Sequence, residues 1–173
     1  TLTTWSKITC GSSYSLATKT DGTLWSWGQN SSGQLGLGNT TGRSSPVQVG
    51  ALTTWLNITT CSASTIATKT DGTLWSWGRN TEGQLGLGNT TNYSSPKQVG
   101  ALTTWSSING GFQYVTATKT DGTVWSWGQN NFGQLGLGTS GVGTYKSSPT
   151  QVGVLTTWSK ITCGDYHTLA TKR

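Results

Sequence analysis

TKTDGTLWSWG, from Thr18 to Gly28, returns unchanged from Thr68 to Gly78 and, with Val124 in place of leucine, from Thr118 to Gly128. Each copy runs on into GQLGLG, which begins at Gly33, Gly83 and Gly133. Trp5, Trp55 and Trp105 stand 50 residues apart, and the spacing stretches to 53 before Trp158. A period of this length belongs to solenoids, propellers and arrays, whose units cannot bury their own apolar faces and stack on neighbours instead. The 173 residues therefore read as one array without a linker, with units 1–50, 51–100 and 101–153 and a partial unit 154–173.

Inside a unit, Leu16 to Thr20 and Thr23 to Trp27 are short runs rich in Thr, Leu and Trp, joined by Asp21-Gly22. Asp-Gly between such runs is a strong hairpin signal, because a type I′ turn needs φ > 0 at both central residues. Along the second run Trp25 and Trp27 fall on one face and Leu24 and Ser26 on the other, so both faces carry groups that can be buried. The glycine-rich stretch Gln29 to Gly38 suits a backbone that turns close to its neighbours. Pro46 to Val49 reads as a strand that proline begins, and Trp5 to Thr9 as another. Helical periodicity is nowhere sustained, and 25 glycines oppose it. The expected fold is all-β, built of propeller blades with four antiparallel strands each.

The segment Cys163 to Ala170, followed in the other copies by TKTDGTLWSWG, GQLGLG, Ser-Pro and a Val-x-Val strand, resembles the regulator of chromosome condensation repeat. The resemblance runs the length of the chain, and its most specific part is Trp27 to Gly38, Trp77 to Gly88 and Trp127 to Gly138. It implies a seven-bladed ring, of which about three and a half repeats are present. Departures lie in the Cys-Gly-x-x-His segment: copy one has Tyr14, copy two has Thr60-Cys61 and Ser64, and copy three has Gly110-Gly111 and Tyr114. The resemblance further implies an interaction platform, with exchange factors for small GTPases and secreted inhibitors among the family's members. An incomplete ring would expose tryptophan-bearing flanks and unpaired edges, so either a second copy or further repeats are expected to complete it. Thr1 is not an initiator residue, which fits a processed or excised piece.

Eleven Lys and Arg against five Asp and Glu give a net charge of +6, but the basic residues form no run. Lys19, Lys69, Lys119 and Lys172 share one repeat position and read as solvated turn lysines, so no nucleic-acid partner is expected. Cys10, Cys61 and Cys163 stand at nearly the same place of their repeats, one and then two repeats apart, too far for a disulfide framework, and read as small buried thiols. One histidine and no CxxC leave nothing from which to build a metal site, and no cofactor is expected. No run approaches the roughly 20 apolar residues of a membrane span.

Catalysis finds little support. Asp21, Asp71 and Asp121 are turn residues, leaving Glu82 and Asp165 as individual carboxylates. His167 shares a repeat position with Tyr14, Ser64 and Tyr114 and is expected to hydrogen-bond structurally near the axis. GQLGLG recurs, opens no helix and lacks a following Lys-Ser/Thr, so it reads as scaffolding and not as a phosphate loop. The ten tryptophans occupy three positions per repeat, as a blade core would use them.

Positions that differ between copies are the candidate working surface. They are Ser31-Ser32, Thr81-Glu82 and Asn131-Phe132 in one loop, and Gly42-Arg43, Asn92-Tyr93 and Ser140 to Lys146 in another. Arg43, Glu82, Tyr93, Phe132, Tyr145 and Lys146 are the expected partner-binding residues, being types that protein contacts favour. Asn30, Asn39, Asn57, Asn89 and Asn92 begin glycosylation sequons. The expected function is non-catalytic protein binding or self-assembly. Exchange-factor activity and carbohydrate adhesion are the alternatives. The low charge and polar surface favour an extracellular or virion-surface setting.

Overall fold

The computed structural model describes residues 4–172. Three four-stranded sheets follow one another along the chain, each an antiparallel meander with its strands in sequence order. The first holds β1 (Trp5–Cys10), β2 (Tyr14–Lys19), β3 (Leu24–Gly28) and β4 (Arg43–Gln48). The second holds β5 (Trp55–Cys61), β6 (Ser64–Lys69), β7 (Leu74–Gly78) and β8 (Tyr93–Gln98). The third holds β9 (Trp105–Gly110), β10 (Tyr114–Lys119), β11 (Val124–Gly128) and β12 (Lys146–Gln151), and a fourth, two-stranded sheet pairs β13 (Trp158–Cys163) with β14 (Thr168–Lys172). The strands β1, β5, β9 and β13 touch in succession, which places the first strand of every blade on the inside of the arc. The expected all-β, four-stranded propeller blades are what forms.

The hairpin β2–β3 turns through Asp21-Gly22, but not in the expected type I′ form: Gly22 is at φ 78° while Asp21 is not at positive φ. Gly22 N–H donates to the Lys19 carbonyl while Lys19 N–H donates to that of Thr23, so Thr20, Asp21 and Gly22 form a three-residue loop with glycine alone in the left-handed region. A Cβ there would lie 2.0 Å from the Thr53 carbonyl oxygen of the next blade, so the turn is also a contact between blades that only glycine can make. The outer strand differs from its expected form. It begins at Arg43, paired with Gly28, and Pro46 lies within it beside a register shift before Val47 pairs with Ser26. An outermost strand needs no donor on its free side, and a bulge removes the demand on the other, so proline is tolerated inside it.

Burial alternates along β7 as the sequence requires: Leu74 and Ser76 are fully buried on one face, while Trp77 is fully buried and Trp75 half-buried on the other. Two apolar cores result, one uniting Leu16, Leu24 and Leu35 of the first blade with Trp55 and Trp77 of the second, the other uniting Leu74 and Leu85 with Trp105 and Trp127. Each core thus spans two blades. No blade closes a core by itself, which is the physical content of the fifty-residue period.

Candidate functional site

The contact between blades is built from the two invariant segments. Trp77 donates its Nε1–H to the Gln34 carbonyl oxygen of the preceding blade at 3.0 Å, and Trp127 does the same to Gln84 at 3.0 Å. GQLGLG therefore serves as the receiving surface for the next blade's tryptophan, as scaffolding would. Asn30 holds that loop in place, accepting from the Leu35 amide and donating to the Asn39 and Thr41 carbonyls. It is 1% exposed, so this sequon is occupied by the fold; among the five sequon asparagines Asn92 alone is exposed.

The TDG turn carries a second repeated network. Asp71 Oδ1 accepts from Thr73 N and Oγ1 at 2.9 and 2.6 Å, and Trp75 Nε1–H donates to Thr73 Oγ1 at 2.8 Å. These donated hydrogen bonds, the hydroxyl's first, hold the Asp71 carboxyl below its ordinary range, as they do at Asp21 and Asp121. Lys69 Nζ lies 3.5 Å from the centre of the Trp75 ring and 5.0 Å from that of Trp55, and Lys119 sits equivalently on Trp125 and Trp105. Lys69 and Lys119 are 7% and 8% exposed, so the reading of these lysines as solvated turn residues is corrected. Each is packed between two indoles, whose ring faces attract the ammonium, while its burial lowers the pKa.

Near the inner strands, Tyr14 donates its hydroxyl to the Ser64 carbonyl at 2.6 Å, reaching the equivalent position of the next blade. Tyr114 reaches the His167 carbonyl in the same way. It is thus the backbone of His167, not its exposed imidazole, that supplies the expected structural hydrogen bond. A Cβ on Gly11 or Gly111 would lie 1.9 Å from the ring of Tyr14 or Tyr114. Copy two has neither feature: Cys61 takes the glycine's place, Ser64 the ring's, and the buried thiol approaches the Phe112 carbonyl at 3.8 Å. Burial pushes the Cys61 thiol and the Tyr14 hydroxyl well up. Cys10, by contrast, is exposed, which corrects its reading as a buried thiol.

Arg43, Tyr93 and Lys146 each open the outer strand of a blade, opposite Gly28, Gly78 and Gly128. They lie one blade apart and do not converge. Arg43 is half-buried and donates to the Gly42 carbonyl; Tyr93 is half-buried against the second core, with Lys97 Nζ 5.5 Å from its ring centre; Tyr145 and Lys146 are exposed. Glu82 and Phe132 occupy equivalent loop positions, each amide donating to the glutamine side chain two residues on.

What does converge is one blade's first variable loop with the next blade's second. The Gly33 Cα faces Ser94 beside Tyr93, and Gly83, next to Glu82, faces Ser147 and the Lys146 carbonyl. Phe132, 69% exposed, packs edge-on to Tyr166 at 5.1 Å, and Tyr166 in turn meets Phe112 at 5.6 Å. Phe112 and Tyr166 escaped the sequence reading. The signal was there, since the positions of Phe112 and Tyr166 hold Ser12 and Ser13 in copy one, and Ser62 and Ala63 in copy two.

No group of three His, Cys, Asp or Glu side chains suited to a metal ion occurs among the described residues. Nor is any helix among them long and apolar enough to cross a membrane.

The arc matches known propellers in shape. Human WBSCR16 superposes with TM-score 0.83 at 20% identity, over 98% of this chain and 45% of that one. Prp20p from Saccharomyces cerevisiae, described with its binding to Gsp1p and histones, superposes with TM-score 0.86 at 19% identity over all of this chain and 44% of that one. Yeast RCC1 (Prp20) bound to Kap60 gives 0.83 at 19%, over 99% of this chain and 42% of that one. The chain spans less than half the length of these proteins. In sequence, a model of the regulator of chromosome condensation (RCC1) repeat matches residues 21–65, 71–117 and 121–171, and a second model of the repeat matches 5–34 and 105–134. With the Trp-to-Gln contacts and the TDG network recurring blade by blade, this chain belongs to the regulator of chromosome condensation repeat family.

Proposed function

We propose that the chain is a non-catalytic assembly and protein-binding module, whose leading flank is covered by a further RCC1-type blade and whose rim loops face a protein partner. The observation that carries this reading is the contrast between equivalent tryptophans: Trp5 is 51% exposed, whereas Trp55 and Trp105 are 4% and 5% exposed beneath the preceding blade. Ile8 repeats the contrast at 68% exposure against 9% for Ile108. Trp5, Ile8, Ala17, Trp27 and Pro46 line an apolar hollow of about 400 Å³ on that flank. A flank made like two buried ones favours the same occupant, a GQLGLG loop from additional repeats or from a second copy. The variable loops meeting at each blade junction then form the rim, with Arg43, Glu82, Tyr93, Phe132, Tyr145 and Lys146 as contact residues. Exchange-factor activity rests on fold similarity alone and is tested by nucleotide release from a titrated GTPase.

Light scattering on the 173-residue chain tests the assembly reading. A dimer or larger species is expected at roughly 50 μM, with Ile8→Glu reducing it to a monomer. A folded, non-associating monomer at that concentration contradicts self-assembly.

A further inference from the structure

Two clefts with the same walls open between the blades. The first, of about 560 Å³, is lined by Gln48 of blade one and by Trp55, Trp75 and Pro96 of blade two. The second, of about 360 Å³, is lined by Gln98, Trp105, Trp125 and Pro149, which are the equivalent residues one blade further on. Both volumes lie in the range of small-ligand sites. Both clefts are internal to the chain, so neither depends on what covers the outer flanks. In each, one indole is almost fully buried and the other half-buried. The buried pair, Trp55 and Trp105, have Nε1–H groups with no acceptor. Trp158, which lines neither cleft, has the same unpaired Nε1–H, and all three nitrogens are closed off from solvent, so they belong to the packing at the start of each blade and the cleft itself is defined by its walls. The rest of the lining is glycine backbone, aliphatic carbon, and Gln, Asn and Ser side chains, with Arg43 in the first cleft as the one charged group and no carboxylate in either.

We propose that these clefts are a pair of equivalent binding sites for a neutral sugar ring of an oligosaccharide. Aromatic walls accept the C–H face of a pyranose, and the glutamine amides Gln48 and Gln98 can both donate to and accept from its hydroxyls. A carboxylate or phosphate ligand would find one lining cation, Arg43, in the first cleft and none in the second, and a cationic ligand would find no lining carboxylate in either. The corresponding place beside Trp158 lacks a second tryptophan within residues 4–172, so the described chain offers two sites.

The experiment is a titration of the isotopically labelled chain with neutral gluco-, manno- and chito-oligosaccharides to about 10 mM, following the indole N–H resonances by NMR. At least one sugar is expected to shift Trp55, Trp75, Trp105 and Trp125 while leaving Trp77 and Trp127 in place. Because the tryptophans support the fold, the test variant is Gln48→Ala with Gln98→Ala, which is expected to weaken binding by about tenfold with the spectrum otherwise retained. Silence across the panel overturns the proposal. So do shifts confined to Trp5 or Trp158, unchanged affinity in the double variant, or tighter binding of an oligogalacturonate than of any neutral sugar.

Discussion

Trp77 Nε1–H donates to the Gln34 carbonyl oxygen across the boundary between the first two blades, with the indole fully buried. Trp27, its counterpart in blade one, is only half-buried. Trp77→Phe removes a hydrogen bond and leaves a void, and is expected to cost about 2–4 kcal/mol. Trp27→Phe, made in the non-associating Ile8→Glu background, should cost less than about 1 kcal/mol, since nothing covers that ring there. Urea denaturation of both variants checks the difference, and equal costs would contradict this account of blade contact.

The glycine and the aromatic ring near the inner strands are coupled. Gly11→Ala drives a methyl into the Tyr14 ring, and should be markedly less costly when Tyr14→Ser is present, as copy two suggests with Cys61 and Ser64. A double-mutant cycle is expected to give a coupling of at least about 1 kcal/mol. Additive effects would remove the explanation for the copy-two sequence.

Acid should loosen all three turns together. Asp21, Asp71 and Asp121 have carboxyls lowered in the folded state by the hydroxyl and amide of Thr23, Thr73 and Thr123. A carboxyl lowered on folding binds fewer protons than in the unfolded chain, so its stabilisation is complete above the unfolded value near 4 and fades as pH falls through the folded one. Replacing the three threonines by valine should flatten the loss of Tm below about pH 4. An unchanged acid slope would contradict the assignment.

Lys69 and Lys119 rest on paired indoles, and Lys→Met keeps their carbon packing while removing the charge. Each replacement is expected to cost about 1 kcal/mol in thermal or urea unfolding, whereas Lys97→Met should cost almost nothing.

Thiol labelling separates the cysteines. Cys10 is exposed and Cys61 buried with its thiol pushed up by that burial, so a disulfide reagent should modify Cys10 rapidly and Cys61 only on unfolding.

The repeat and the TDG turn made blade architecture legible, because both are local signals: a periodicity and a short loop closed by a left-handed glycine, although its three-residue form was not the type I′ turn expected. Pro46 was misplaced because whether a strand tolerates proline depends on its lying at an open edge, which is a property of the assembled sheet. Lys69 was misread for a related reason. Its charge suggests solvent, and only the stacking of Trp55 against Trp75, residues 20 apart, creates the slot that holds it. Phe132 was identified from its variation between copies, yet its neighbours Phe112 and Tyr166 come from different loops, and no spacing rule links them. Cleft walls shared by Gln48 and Trp75 are likewise invisible until two blades are stacked.

Hydrogen exchange of the indole N–H groups, read by NMR, tests most directly whether the blades lock onto one another. In the non-associating Ile8→Glu variant the Trp77 and Trp127 N–H protons should exchange only through global unfolding, and the Trp5 proton orders of magnitude faster. If Trp77 and Trp127 exchanged as quickly as Trp5, the blades would not be held together by the contact proposed here.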